Sequence, residues 1–339
     1  MSILTERARR SAGKEVPPVG AVLGAMALGG LLCVGLARWL TGTGYAAPIA
    51  GLPDPGILTA DALPLVQAVR EGAGIAVVGL LFLRCCLMPG GPRPAHAHLN
   101  RMAARWALIW AAACTLSIVL TLSDMIGVPI SRLPGHLDLV TVVFGTQRVI
   151  ALTATLWVAV AVAAFGARSA TRTSAAIAMV ASAAALLPSS LVGHAGHHSF
   201  PLAAVVALSI HVVAASIWIG GLIALAVHLR RFPQELRLVV PLFSAVALVC
   251  VIGVGASGVV ESAIMLDDWE ALWHTDRGHL MLAKCVALVV LTGVGYLHRR
   301  RTLRPAVLGR PALLLRLAAG ELVLMGGVVG LAVVLSTTA

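Results

Sequence analysis

The segment PLFSAVALVCVIGVGASGVV, residues 241–260, carries no charged side chain. It is one of several apolar runs of about 20 residues, the length a helix needs to cross a hydrocarbon core of ~30 Å. Backbone polar groups inside a bilayer must be bonded within the chain itself. Runs of this kind therefore read as membrane helices. Only 12% of the 339 residues are charged and 59% are hydrophobic, where a soluble domain carries roughly a quarter charged residues. Most of the molecular surface must face lipid. The expected fold is all-α, a polytopic transmembrane helical bundle.

Nine spans are expected, near 18–40, 63–88, 102–126, 141–165, 174–192, 201–228, 238–264, 279–298 and 312–336. The fourth begins with the amphipathic stretch LDLVTVVFGTQR, and the fifth is short and Ala-rich. The N-terminal apolar run from Val19 lacks a small-residue cleavage site and is expected to stay as the first helix. With the N-terminus in the cytoplasm and the C-terminus outside, eighteen of the 25 Lys and Arg fall on the cytoplasmic face, from Arg7 to Arg316. Only Arg132 and Arg277 fall on the other, the asymmetry that orients membrane proteins. The net charge of +11 is thus explained by orientation rather than by a nucleic-acid partner. Residues 1–200 hold about five spans and 201–339 about four, in one integrated membrane domain.

Three imidazoles crowd the loop Gly193-His194-Ala195-Gly196-His197-His198 at the expected outer mouth of the fifth and sixth spans. Imidazole suits Cu, Zn, Fe and Ni, and flanking glycines let the rings converge. His211 lies ten residues after Pro201, about 15 Å down the next helix at its 1.5 Å rise. An ionisable residue at that depth is a functional candidate; the plain alternative is a neutral histidine bonded between helices. Small neighbours, Ala214, Ala215, Ser216, Gly220 and Gly221, permit close helix approach. Glu71 matches Arg148 in depth, Glu261 matches Lys284, and Glu321 is level with His211. Met125, Met265 and Met281 lie near the outer face, where thioether sulfur favours Cu(I) but also fills apolar bundles. Adjacent Cys85 and Cys86 could bind a soft metal or serve as small apolar side chains. A polar or metal path through Glu261, His279, Met281, Lys284 and Glu321 is therefore considered. No Walker A, GxGxxG, HExxH or GxSxG pattern occurs, and the chain is read as a non-enzyme.

From His211 onward the sequence resembles the copper resistance D family, CopD. The pieces are HVVAASIWIGGLIAL (211–225), PLFSAVALVCVIGVGASGVV (241–260), TDRGHLMLAKCVALVV (275–290), HRRR (298–301) and the last helix with Glu321. The resemblance implies a multi-pass protein of the plasma (inner) membrane that transports or delivers copper. The ligands come from the histidine pattern and not from the resemblance: copper would be captured outside by His194, His197 and His198 and passed to His211. The resemblance also implies, as partners, an extracytoplasmic copper chaperone or an oxidase assembly factor beside lipid and copper itself. Similar helical membrane proteins bind haem, so a redox protein with His211 as an axial haem ligand is the alternative. A respiratory-oxidase assembly partner is the third.

Overall fold

A computed structural model describes residues 54–91, 93–168, 171–192, 202–265 and 271–274, with scattered positions and short runs between 278 and 320. Every element among the described residues is helical. They are α1 (Ile57–Phe82), closed by a π-helical turn (Leu83–Leu87), α2 (Pro94–Ile126), α3 (Leu137–Phe144), α4 (Gln147–Phe165), α5 (Arg172–Val192), α6 (Leu202–Arg231), α7 (Leu236–Met265) and the single turn α8 (Ala271–His274). Among the described residues five helical segments are long and apolar enough to cross a membrane: Ile57–Leu87, Pro94–Ile126, Gln147–Phe165, Leu202–Ala226 and Leu238–Glu261. Two shorter apolar helices cover Arg172–Pro188 and Leu288–Leu297. The expected first and ninth spans lie outside the described residues.

The boundaries follow local chemistry. Asp54 accepts the Gly56 N–H at 3.0 Å through Oδ1, and Gly56 takes a φ of +83° to turn the chain into α1. Pro94 opens α2, where its missing N–H costs nothing. Gly127, at φ +70°, ends it in the left-handed conformation with its N–H on the Ser123 carbonyl. The expected fourth span is not one helix. Its amphipathic start forms the separate helix α3, with Val142 72% exposed, and Gly145 and an extended Thr146 divide it from α4. Helix α5 continues through Pro188.

Packing is governed by small residues. Helix α1 touches α2, α5 and α6; α2 touches α4; α6 touches α7. A Cβ on Gly79 of α1 would fall inside the backbone of Gly220 of α6, so the two helices meet backbone to backbone. Gly74 of α1 receives Leu186 of α5 and the Trp110 ring of α2. Trp110 is fully buried in a core drawn from α1, α2, α4, α5, α6 and α7. Outward-facing Val249, Ile252, Trp157 and Ile177 are each more than 60% exposed, as lipid-facing side chains should be.

The ends of the helices sort by charge. At one end, Arg93 at the start of α2 meets Glu235 between α6 and α7 at 3.8 Å, and His98 packs on Phe232. There too Arg172 of α5 donates to the Cys85 carbonyl at the end of α1. At the other end, Thr59 of α1 bonds Ser123 of α2 at 2.8 Å. The described helices therefore alternate in direction, as the basic residues of the sequence require.

Candidate metal-handling site

The α6–α7 seam is antiparallel and close. Phe243 lies over Gly221 near one end, while Gly253 faces Ala214 and Ile210 further along. The next contact in this register is His211 with Ser257 and Gly258. The His211 Nδ1 is 3.2 Å from the Ser257 Oγ, and the ring edge lies beside Gly258. His211 is half-buried and stands nine residues into α6, about 14 Å along its axis.

Ser257 anchors this imidazole to α7. Its buried hydroxyl donates to backbone carbonyls of its own helix, to Gly253 at 2.7 Å with Val254 at 3.1 Å. Through this hydroxyl the Nδ1 edge of the His211 ring is held against α7. Histidine ligands to metals are commonly oriented in this way, one nitrogen held by the protein and the other presented to the ion. Glu261 lies one helical turn beyond Ser257 on the same face of α7, about 6 Å further along the axis.

Other sequence expectations fare differently. His194, His197, His198, His279, Met281, Lys284 and Glu321 lie outside the described residues. Glu71 holds its neighbour Arg70 at 2.6 Å within α1, and Arg148 lies exposed on α4. Met125 is exposed at the end of α2. Among the described residues no three His, Cys, Asp or Glu side chains gather into a metal cage. The Ser257 partner of His211 was not anticipated. The available signal was a lone hydroxyl between Gly253 and Gly258, one turn before Glu261, in an otherwise apolar run.

The Arg93–Glu235 pair at the basic end was also not anticipated. Glu235 is mostly buried, and loss of hydration raises its carboxyl pKa above the ordinary value, an effect the nearby Arg93 charge only partly offsets.

Comparison with curated proteins and with solved structures finds no significant match. The family model described as copper resistance protein D matches residues 237–335. That range takes in Ser257 and Glu261 and leaves out the piece HVVAASIWIGGLIAL with His211. The C-terminal part of this helical membrane chain, residues 237–335, therefore matches CopD, the family its sequence pieces resemble.

Proposed function

We propose that the chain carries or delivers copper across the plasma membrane, with His211 as a ligand inside the bundle. The observation that carries this reading is the His211–Ser257 contact, which holds an imidazole in place between α6 and α7 within the helix bundle. The copper resistance match over the helix that bears Ser257 supports copper as the ion. Imidazole is a good copper ligand. A single imidazole inside the membrane is also a weak one, and a conducted ion needs stations it can leave.

In this reading His194, His197 and His198 strip water from copper at the outer face and pass the ion inward to His211. Glu261, His279, Met281, Lys284 and Glu321 supply the remaining polar path. The basic end of the bundle faces the cytoplasm, by the rule that Lys and Arg stay inside.

The test uses the full chain in liposomes loaded with a copper indicator. His211→Ala should abolish copper entry while the protein remains folded. Ser257→Ala should slow entry by about 10- to 100-fold, the usual cost of losing a group that orients a metal-binding histidine. Replacing His194, His197 and His198 together with Ala should slow entry most at low external copper. If His211→Ala transports as the wild type does, the reading is wrong. A Soret band that vanishes in His211→Ala would replace copper with haem.

A further inference from the structure

The π-helical turn that closes α1 gathers three sulfur atoms. Its sequence is LRCCL, and the Met88 N–H reaches back to the Leu83 carbonyl at 3.0 Å. Such wide turns are rare and recur at functional sites. On an α-helix, neighbouring residues do not face one another. Here the Sγ atoms of Cys85 and Cys86 lie 3.5 Å apart, too far for a disulfide and close for two free thiols. The Met179 Sδ, on α5, lies 3.7 Å from the Cys85 Sγ. Three sulfurs around one ion at about 2.3 Å would stand about 4 Å from each other, so little movement would be needed to surround one.

We propose that Cys85, Cys86 and Met179 form a binding site for a soft monovalent ion, Cu(I), at the basic end of the bundle. Thiolate and thioether select Cu(I) over harder ions. Zn(II) would ask for a fourth ligand in a closed tetrahedral site. Binding releases the two thiol protons, so one Cu(I) with two thiolates carries a net charge of −1. Cationic groups stand ready for it. Arg84 lies in the same turn, 6% exposed, and its Nε has no hydrogen-bond partner among the described residues. Arg172 is anchored on the Cys85 carbonyl. Cys86 is exposed and three residues from Pro89 of the Pro89-Gly90-Gly91 loop, which gives the ion a route to the site. The site rests on sulfur geometry and stands apart from the role given to His211.

The test is an anaerobic Cu(I) titration of the purified full chain against a chromogenic Cu(I) chelator, with copper K-edge absorption on the loaded sample. The wild type should hold one Cu(I) more than the Cys85→Ser/Cys86→Ser variant, in a shell of sulfur near 2.3 Å. Met179→Leu should weaken that ion by about tenfold or more, the scale on which ligand-shell losses act. Because Cys85 is buried, Cys86→Ser serves as the second variant: it leaves the packed side chain intact and should lose the same ion. His211→Ala should keep it. Wild-type stoichiometry and affinity in both cysteine variants would overturn the proposal, as would a shell of nitrogen and oxygen only.

Discussion

Gly79→Ala tests whether close backbone contact between α1 and α6 holds the bundle together. A methyl group on Gly79 would overlap the Gly220 carbonyl, and one on Gly220 would meet the Ile75 carbonyl and the Gly79 nitrogen. Neither obstacle is a flexible side-chain tip that can swing away. The helices would have to part by about 1–2 Å before a Cβ reached ordinary contact. A gap of even 0.5–1 Å forfeits about a quarter to a half of each dispersion contact it opens. The side chains at risk include Val77, Val78 and Leu81 of α1 and Ile219, Leu222 and Ile223 of α6, all buried in the main core. Overpacking of a tight core costs about 1–3 kcal/mol and sometimes more. Because the obstacle here is backbone, Gly79→Ala should cost about 3 kcal/mol.

The same structure supplies controls. A methyl added at Gly72 would meet nothing within 4 Å, so Gly72→Ala should stabilise by about 0.5–1 kcal/mol through helix propensity alone. Gly253 would place its methyl 3.5 Å from the Ala214 Cβ, an ordinary contact, and Gly253→Ala should stay within about 1 kcal/mol of the wild type. Thermal unfolding in one detergent can be followed with a dye that fluoresces on reaching buried Cys114 and Cys250. The order of stability should be Gly72→Ala, wild type, then Gly79→Ala well below. Equal unfolding temperatures for Gly72→Ala and Gly79→Ala would refute the argument.

Three further outcomes are expected. Thr59→Val removes the bond to Ser123 between buried groups at the ends of α1 and α2, and should cost about 0.5–1.5 kcal/mol in the same unfolding assay. The raised carboxyl of Glu235 makes the folded state the better proton binder; its stabilising effect is full below the ordinary value of 4.5 and fades as pH rises through the folded value. Unfolding temperature should therefore fall across that window in the wild type, and the fall should shrink in Glu235→Gln; equal profiles would assign it to other groups. For orientation, a cysteine introduced at His197 in a background without native cysteines should react with an impermeant maleimide from outside, and one at Arg301 should not. The reverse labelling would invert the whole assignment.

The sequence showed the helices well and their contacts poorly, for physical reasons. Membrane helices announce themselves by length and apolarity, and the limits expected for α5, α6 and α7 fall within a few residues of those observed. Helices α1 and α2 start earlier than hydropathy suggests, because polar turns such as HAHLNRMAARW extend a helix beyond the hydrocarbon. The fourth span failed at Gly145-Thr146: hydropathy runs on across a break that backbone geometry makes. Gly220 and Gly221 correctly signalled close packing, yet nothing in the sequence chose Gly79 and Phe243 as what they meet. Likewise the depth of His211 was legible from helix rise, whereas Ser257 as its partner depends on the register of α6 against α7. Met179, 94 residues from Cys85, has no spacing signal at all.

Register also fixes how far apart the two proposed copper ligand sets stand. Helices α1 and α6 both end at the basic face, where Arg172 reaches Cys85 and His98 reaches Phe232, so they run parallel. Gly79 and Gly220 mark a common level. Cys85 lies six residues beyond it on α1 and His211 nine residues before it on α6. At 1.5 Å per residue the axial separation is about 22 Å. No ligand exchange spans that distance, so imidazole and sulfur would act as separate stations. The order of their affinities then matters. Imidazole alone holds copper loosely, and two thiolates with a thioether hold Cu(I) firmly. An ion that enters by the imidazole and arrives at the sulfurs moves toward tighter binding, so the sulfurs would retain it at the basic end until another ligand takes it off. The reverse journey would have to begin by leaving the stronger ligands.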